Sequence, residues 1–81
     1  MTRLRVRMTF PTEELVREPV IYRLGKEFNV VTNIRQAEVK ADFGWAMLEL
    51  EGTDEDIERA LEWARSIGVT VASIEGDVVA G

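Results

Sequence analysis

Two stretches of strict alternation constrain this chain more than anything else in it. In RLRVRMTF, Leu4, Val6, Met8 and Phe10 fall on one side, and Arg3, Arg5, Arg7 and Thr9 on the other. In WAMLELE, Ala46, Leu48 and Leu50 alternate with Trp45, Met47, Glu49 and Glu51. A period of two is the pattern of a strand with one apolar face and one wet face.

The segments between them read as helices and further strands. Pro11 ends the first strand, and in the linker PTEELVRE the stretch from Glu13 to Arg17 can hold a helical turn. Pro19 suits the first turn of a helix. Val20, Ile21, Leu24 and Phe28 follow as one apolar stripe, and Asn29 is placed to close the helix in the left-handed conformation. Val30 to Lys40 is rich in β-branched residues and reads as a second strand. Its apolar residues change parity midway, from Val30, Thr32 and Ile34 to Ala37 and Val39, so a bulge is expected near Arg35–Gln36. Ala41 to Gly44 makes a turn, and Gly52 ends the third strand. Thr53 then caps a second helix with Asp54, Glu55 and Asp56 in its first turn. Ile57, Ala60, Leu61, Ala64 and Ile67 form its apolar face, Trp63 flanks that face, and Gly68 is its C′ glycine. A short last strand, Val69 to Ile74, precedes a turn at Glu75–Gly76–Asp77 and a small tail.

The order βαββαβ predicts an α+β, ferredoxin-like plait in one domain over residues 1–81. Right-handed crossovers give a four-stranded antiparallel sheet, order 4-1-3-2, with both helices on one face. The other face is then open. Parity assigns to it Arg3, Arg5 and Arg7; Val31, Asn33 and Arg35; and Trp45, Met47, Glu49 and Glu51. Arg5 or Arg7 is expected to pair with Glu49 or Glu51. Trp45, Met47 and Val31 are expected to form an apolar patch that either marks a partner or ligand or lies under a loop or the tail.

Composition removes many chemistries. The 81 residues include no cysteine and no histidine, and carry a net charge of −5. Zinc fingers, thiolate-held clusters and Cys–His or Ser–His–Asp nucleophiles are excluded, and no cofactor is expected. Carboxylates are dense from Glu49 to Glu62, but they read as a solvated strand and helix N-terminus, with no paired acid and base and no calcium-loop spacing. The first strand–helix connection has three glutamates and no glycine, so it is no phosphate cradle. FGWAMLEL loosely resembles the third-strand motif of an RNA recognition module. However, Met47 and Leu50 stand at its stacking positions and the net charge opposes phosphate, so single-stranded RNA binding is the weakest alternative. No apolar run approaches the ~20 residues that span a bilayer, and the alternating start is no signal peptide. The expectation is a cytoplasmic, non-enzymatic chain. With no metal or disulfide to help, it needs a well-arranged core or self-association.

From Pro19 onward, PVIYRLGKEFNVVTNI, GWAMLELEG and IERALEWARSIGVTV resemble the NIL domain in order and spacing. The resemblance covers about Leu4 to Ile74. The motif that names the family, Asn-Ile-Leu, reads Asn33, Ile34, Arg35 here. Such domains occur in the ATPase subunit of methionine importers, where they pair and bind methionine as a regulatory ligand. They also occur at the N-terminus of certain 4Fe–4S ferredoxins tied to sulfur metabolism. A start at Met1 is more like the second arrangement. The resemblance implies a small amino acid bound around Asn33, Ile34, Arg35, Trp45 and Met47. It also implies a homo-oligomer whose interface takes in Val31, Asn33, Arg35, Trp45 and Met47. An edge position for the second strand favours pairing with a copy. The alternative is an accessory domain of a ferredoxin or sulfur-metabolism protein with no ligand of its own.

Overall fold

The two alternating stretches become the centre of one sheet. In the computed structural model, which describes the backbone of residues 1–79 and the side chains of residues 1–74, β1 (Thr2–Phe10) and β3 (Gly44–Gly52) pair antiparallel without a break. Their register runs from Thr2 opposite Gly52 to Phe10 opposite Gly44. It sets Val6 against Leu48 and Met8 against Ala46, so the apolar residues of both strands share one face. Val6, Met8, Leu48 and Leu50 are completely buried there.

β2 (Val31–Val39) lies outside β3, and β4 (Thr70–Val79) lies outside β1. The order β2-β3-β1-β4 is the ferredoxin-like order expected from the sequence. β4 runs past Ile74, where the sequence suggested a turn at Glu75–Gly76–Asp77. The backbone absorbs those residues as an irregularity: Ser73 pairs with Val6, yet Val78 pairs with Leu4. The end of the expected tail, residues 80–81, lies outside the described residues.

The helices cover the apolar face. The helical turn allowed for in the linker is α1 (Glu13–Arg17), capped by Thr12, whose hydroxyl accepts from the Leu15 amide. α2 (Val20–Glu27) buries Val20 and Leu24. Asn29 adopts φ 54° after it, as the sequence suggested. α3 (Asp54–Ser66) buries Ile57, Ala60, Leu61 and Ala64, and the Thr53 hydroxyl accepts from the Asp56 amide at its start. At its end Gly68 has φ 105°, and the Gly68 and Val69 amides donate to the Arg65 and Ala64 carbonyls.

The flanking position of Trp63 has a structural cause. Phe28 packs against the indole at a centroid distance of 5.5 Å, and the Arg23 guanidinium lies over it at 4.7 Å. Arg23 also donates to Glu18 and Glu27, each at 2.7 Å, and with its contact to Trp63 it ties α2 to the segment before it and to α3. These hydrogen bonds hold the Glu27 carboxyl below the ordinary carboxylate range and push the Arg23 guanidinium up.

Two outcomes test this packing. A folded pKa depressed in this way stabilises fully above the unfolded value, and the contribution is lost as pH falls through the folded one. Urea denaturation should therefore show that Arg23→Gln loses less stability than the parent on acidification below about pH 4. The same alanine substitution should also act oppositely at two glycines. Gly68→Ala forces a side chain into φ 105° with its Cβ 3.3 Å from Leu15, and should cost ~1–2 kcal/mol. Gly25→Ala, inside α2, meets only ordinary contacts at 3.6 Å and beyond, and should stabilise by ~0.5–1 kcal/mol.

Candidate functional site

The face of the sheet away from the helices is organised into four cross-strand rows by the register. The first holds Val31, Glu51 and Arg3; the second Asn33, Glu49 and Arg5; the third Gln36, Met47, Arg7 and Ala72; the fourth Glu38, Trp45, Thr9 and Thr70. Successive rows stand roughly 7 Å apart along a strand.

Cross-strand pairing fills the first two rows. Arg3 meets Glu51 at 2.9 Å, and Arg5 meets Glu49 at 3.5 Å. Arg5 pairs as expected. Arg7 does not, because Met47 stands opposite it, and its guanidinium lies over the Trp45 ring at 4.4 Å instead. The apolar patch expected from Trp45, Met47 and Val31 is divided. Val31 stands opposite Glu51, about 20 Å along β3 from Trp45, with the charged second row between.

The bulge in β2 falls where the parity change placed it, between Ile34 and Gln36. Arg35 is the extra residue, with no Cα partner in β3. Past it the parity inverts, so Gln36 and Glu38 join the open face and Ala37 and Val39 turn to the helix side. The open-face assignment from the sequence omitted Gln36 and Glu38. Applying the bulge to every residue beyond it would have found them.

The candidate ligand residues are therefore dispersed. Asn33 is opposite Glu49 and diagonal to Met47, while Trp45 is two rows away. Ile34 is opposite the buried Leu48, on the helix side of the sheet, yet it is 57 % exposed because no helix covers that part of β2. Val39, also on that side, is 61 % exposed. Beside it, an apolar cleft of about 170 Å³ is lined by Phe10, Val20, Ile21, Tyr22 and Val39 among others. Sequence periodicity had no signal for this cleft, because it joins the ends of β1 and β2 to α2.

Among the described residues, no cluster of three or more acidic side chains is disposed to hold a metal ion, and no helix is long and apolar enough to cross a membrane. The arrangement is an edge strand carrying amide and guanidinium groups beside an open sheet face. Both stand on a sheet of ferredoxin-like order. Over residues 4–72 the chain matches the NIL domain, and it belongs to that family of regulatory and accessory domains. Among solved structures it is similar to the C-terminal domain of an ABC transporter ATP-binding protein from Enterococcus faecalis. That match has 24 % identity and a TM-score of 0.74, covering 90 % of this chain and 84 % of that one. It is also similar to the de novo designed protein Foldit4, at 20 % identity and a TM-score of 0.54, covering 90 % and 92 %. At these identities both likenesses concern the fold. No curated protein sequence matches the chain.

The row assignment makes a sharp prediction for double-mutant cycles. Arg5→Met with Glu49→Met should show a coupling of ~0.2–1 kcal/mol in urea denaturation. Arg7→Met with Glu49→Met should show none. Equal couplings would mean that the two arginines share the carboxylate.

Proposed function

We propose that this chain is a non-enzymatic regulatory module that pairs through β2 and binds a small amino acid, with methionine the first candidate. The observation that supports it most is the position of Asn33, Ile34 and Arg35. They lie mid-strand on a nine-residue edge strand, at its bulge. β2 contains no proline, and all its residues except the half-buried Thr32 are exposed. An unprotected edge of this kind offers a row of backbone donors and acceptors to another strand.

Self-association and ligand binding belong together in this reading. On one copy the motif lies on an open surface, whereas small-molecule sites are concave. A second copy's β2 supplies the missing wall. Arg35 then holds the ligand carboxylate through paired N–H donors. The Asn33 amide, which both donates and accepts, takes a remaining hydrogen bond of the carboxylate or ammonium. Ile34 and Val39, exposed on the helix side, receive apolar contacts from the partner copy. The ABC transporter setting of the Enterococcus faecalis domain is in keeping with such a role.

Light scattering should give twice the 9.2 kDa chain mass at high concentration, and Ile34→Lys should return the monomer mass. Calorimetry with L-methionine, leucine and glutamate should show saturable heat for one of them. Arg35→Ala should weaken that binding by about tenfold or more. A monomer at millimolar protein sinks the pairing, and absence of heat at millimolar amino acid sinks the ligand.

A further inference from the structure

The open face is electrically uneven along its length. In the first two rows Arg3 and Arg5 have Glu51 and Glu49 as partners. In the third, the cross-strand neighbours of Arg7 are Met47 and Ala72, and it forms no ion pair among the described residues. Its guanidinium instead lies over the Trp45 ring at 4.4 Å, with Arg7 itself exposed and Trp45 and Met47 half-buried. Stacking fixes the plane of a guanidinium and leaves its edge, with the N–H donors, free to meet a carboxylate in two parallel bonds. Tryptophan, arginine and methionine are also the residue types enriched at the cores of protein interfaces. Around this trio the fold sets a polar rim of Thr9, Thr70, Gln36 and Glu38. β4 meets this end of the face through the small residues Thr70 and Ala72, so Arg7 and Trp45 stay accessible.

We propose that Arg7, Trp45 and Met47 form a docking site for an acidic segment of a partner protein, separate from the β2 edge. Arg7 takes an Asp or Glu carboxylate of that segment, and the Trp45 and Met47 side chains floor the apolar residues beside it. The donors of Arg7 select this occupant. Arg7 forms no ion pair among the described residues and can take a single Asp or Glu carboxylate set beside apolar residues, whereas a phosphate backbone sets a charge at every nucleotide against a net charge of −5 and the neighbouring Glu38 and Glu49. Shape agrees, because a flat sheet face suits a protein surface better than a free small molecule.

Nuclear magnetic resonance of the labelled chain tests this directly. The probes are a blocked peptide alternating leucine and glutamate, its leucine–glutamine counterpart, and an oligouridylate. The glutamate peptide should shift the Trp45 indole N–H and the Arg7 Nε–H saturably, while the Trp63 indole stays put as an internal control. The glutamine peptide should bind at least about tenfold more weakly, and Arg7→Gln should weaken the glutamate peptide by a similar factor. Ile34→Lys, which blocks the β2 edge, should leave this binding unchanged and so separates it from self-association. Equal binding of both peptides overturns the proposal. So does no response at several millimolar peptide, or a stronger response to the oligouridylate, which would make this face a nucleic-acid platform.

Discussion

The uninterrupted β1–β3 register is the constraint on which the rest of the domain depends. Nine consecutive pairs, Thr2 with Gly52 through Phe10 with Gly44, lock two alternating sequences so that their apolar halves coincide. A slip of β1 by one residue would turn Val6 and Met8 to solvent and bring Arg5 and Arg7 under the helices. Burying charged side chains in that layer would cost far more than the pairing gains. The same register creates the open-face rows. It decides that Arg5 meets Glu49, that Arg7 meets Met47, and that a guanidinium comes to rest on Trp45.

The second strand obeys a different rule. Hydrogen-bonded only to β3 and covered by no helix along most of its length, β2 keeps its backbone edge and both faces open. Its bulge allows one strand to serve two parities. Thr32 and Ile34 face the helix side before it, and Ala37 and Val39 after it. The extra residue, Arg35, stands where the resemblance places the leucine of the family's motif. Bulges re-aim side chains and interrupt pairing, which is why they recur beside functional sites. An irregularity at the motif of an exposed edge connects local geometry to the proposed ligand and partner copy.

Fold alone says little about function here. A ferredoxin-like sheet of the same order is shared with a designed protein, and such sheets carry many unrelated activities. What distinguishes this chain is decoration: an exposed edge with Asn33 and Arg35, and an open face that is ion-paired across strands at one end and carries an arginine over a tryptophan at the other. Behind the sheet, the Arg23–Trp63–Phe28 contact holds α2 against α3.

The element order, the caps at Thr53 and Gly68, the left-handed Asn29 and the bulge near Arg35 were legible in the sequence, because each depends on interactions within a few residues. Periodicity likewise separated the buried half of β1 and β3 from the wet half, since side-chain alternation is a property of a single strand. Register is not such a property. Only the pairing of distant strands decided that Val31 stands about 20 Å from Trp45, that Arg7 stacks where Arg5 bridges, and that Gln36 and Glu38 join the open face. The cleft beside Tyr22 and Val39, and the exposure of Ile34, depend on where a helix of eight residues stops covering a four-stranded sheet. No local pattern encodes that limit, because it is set by the packing of α2 against the core as a whole.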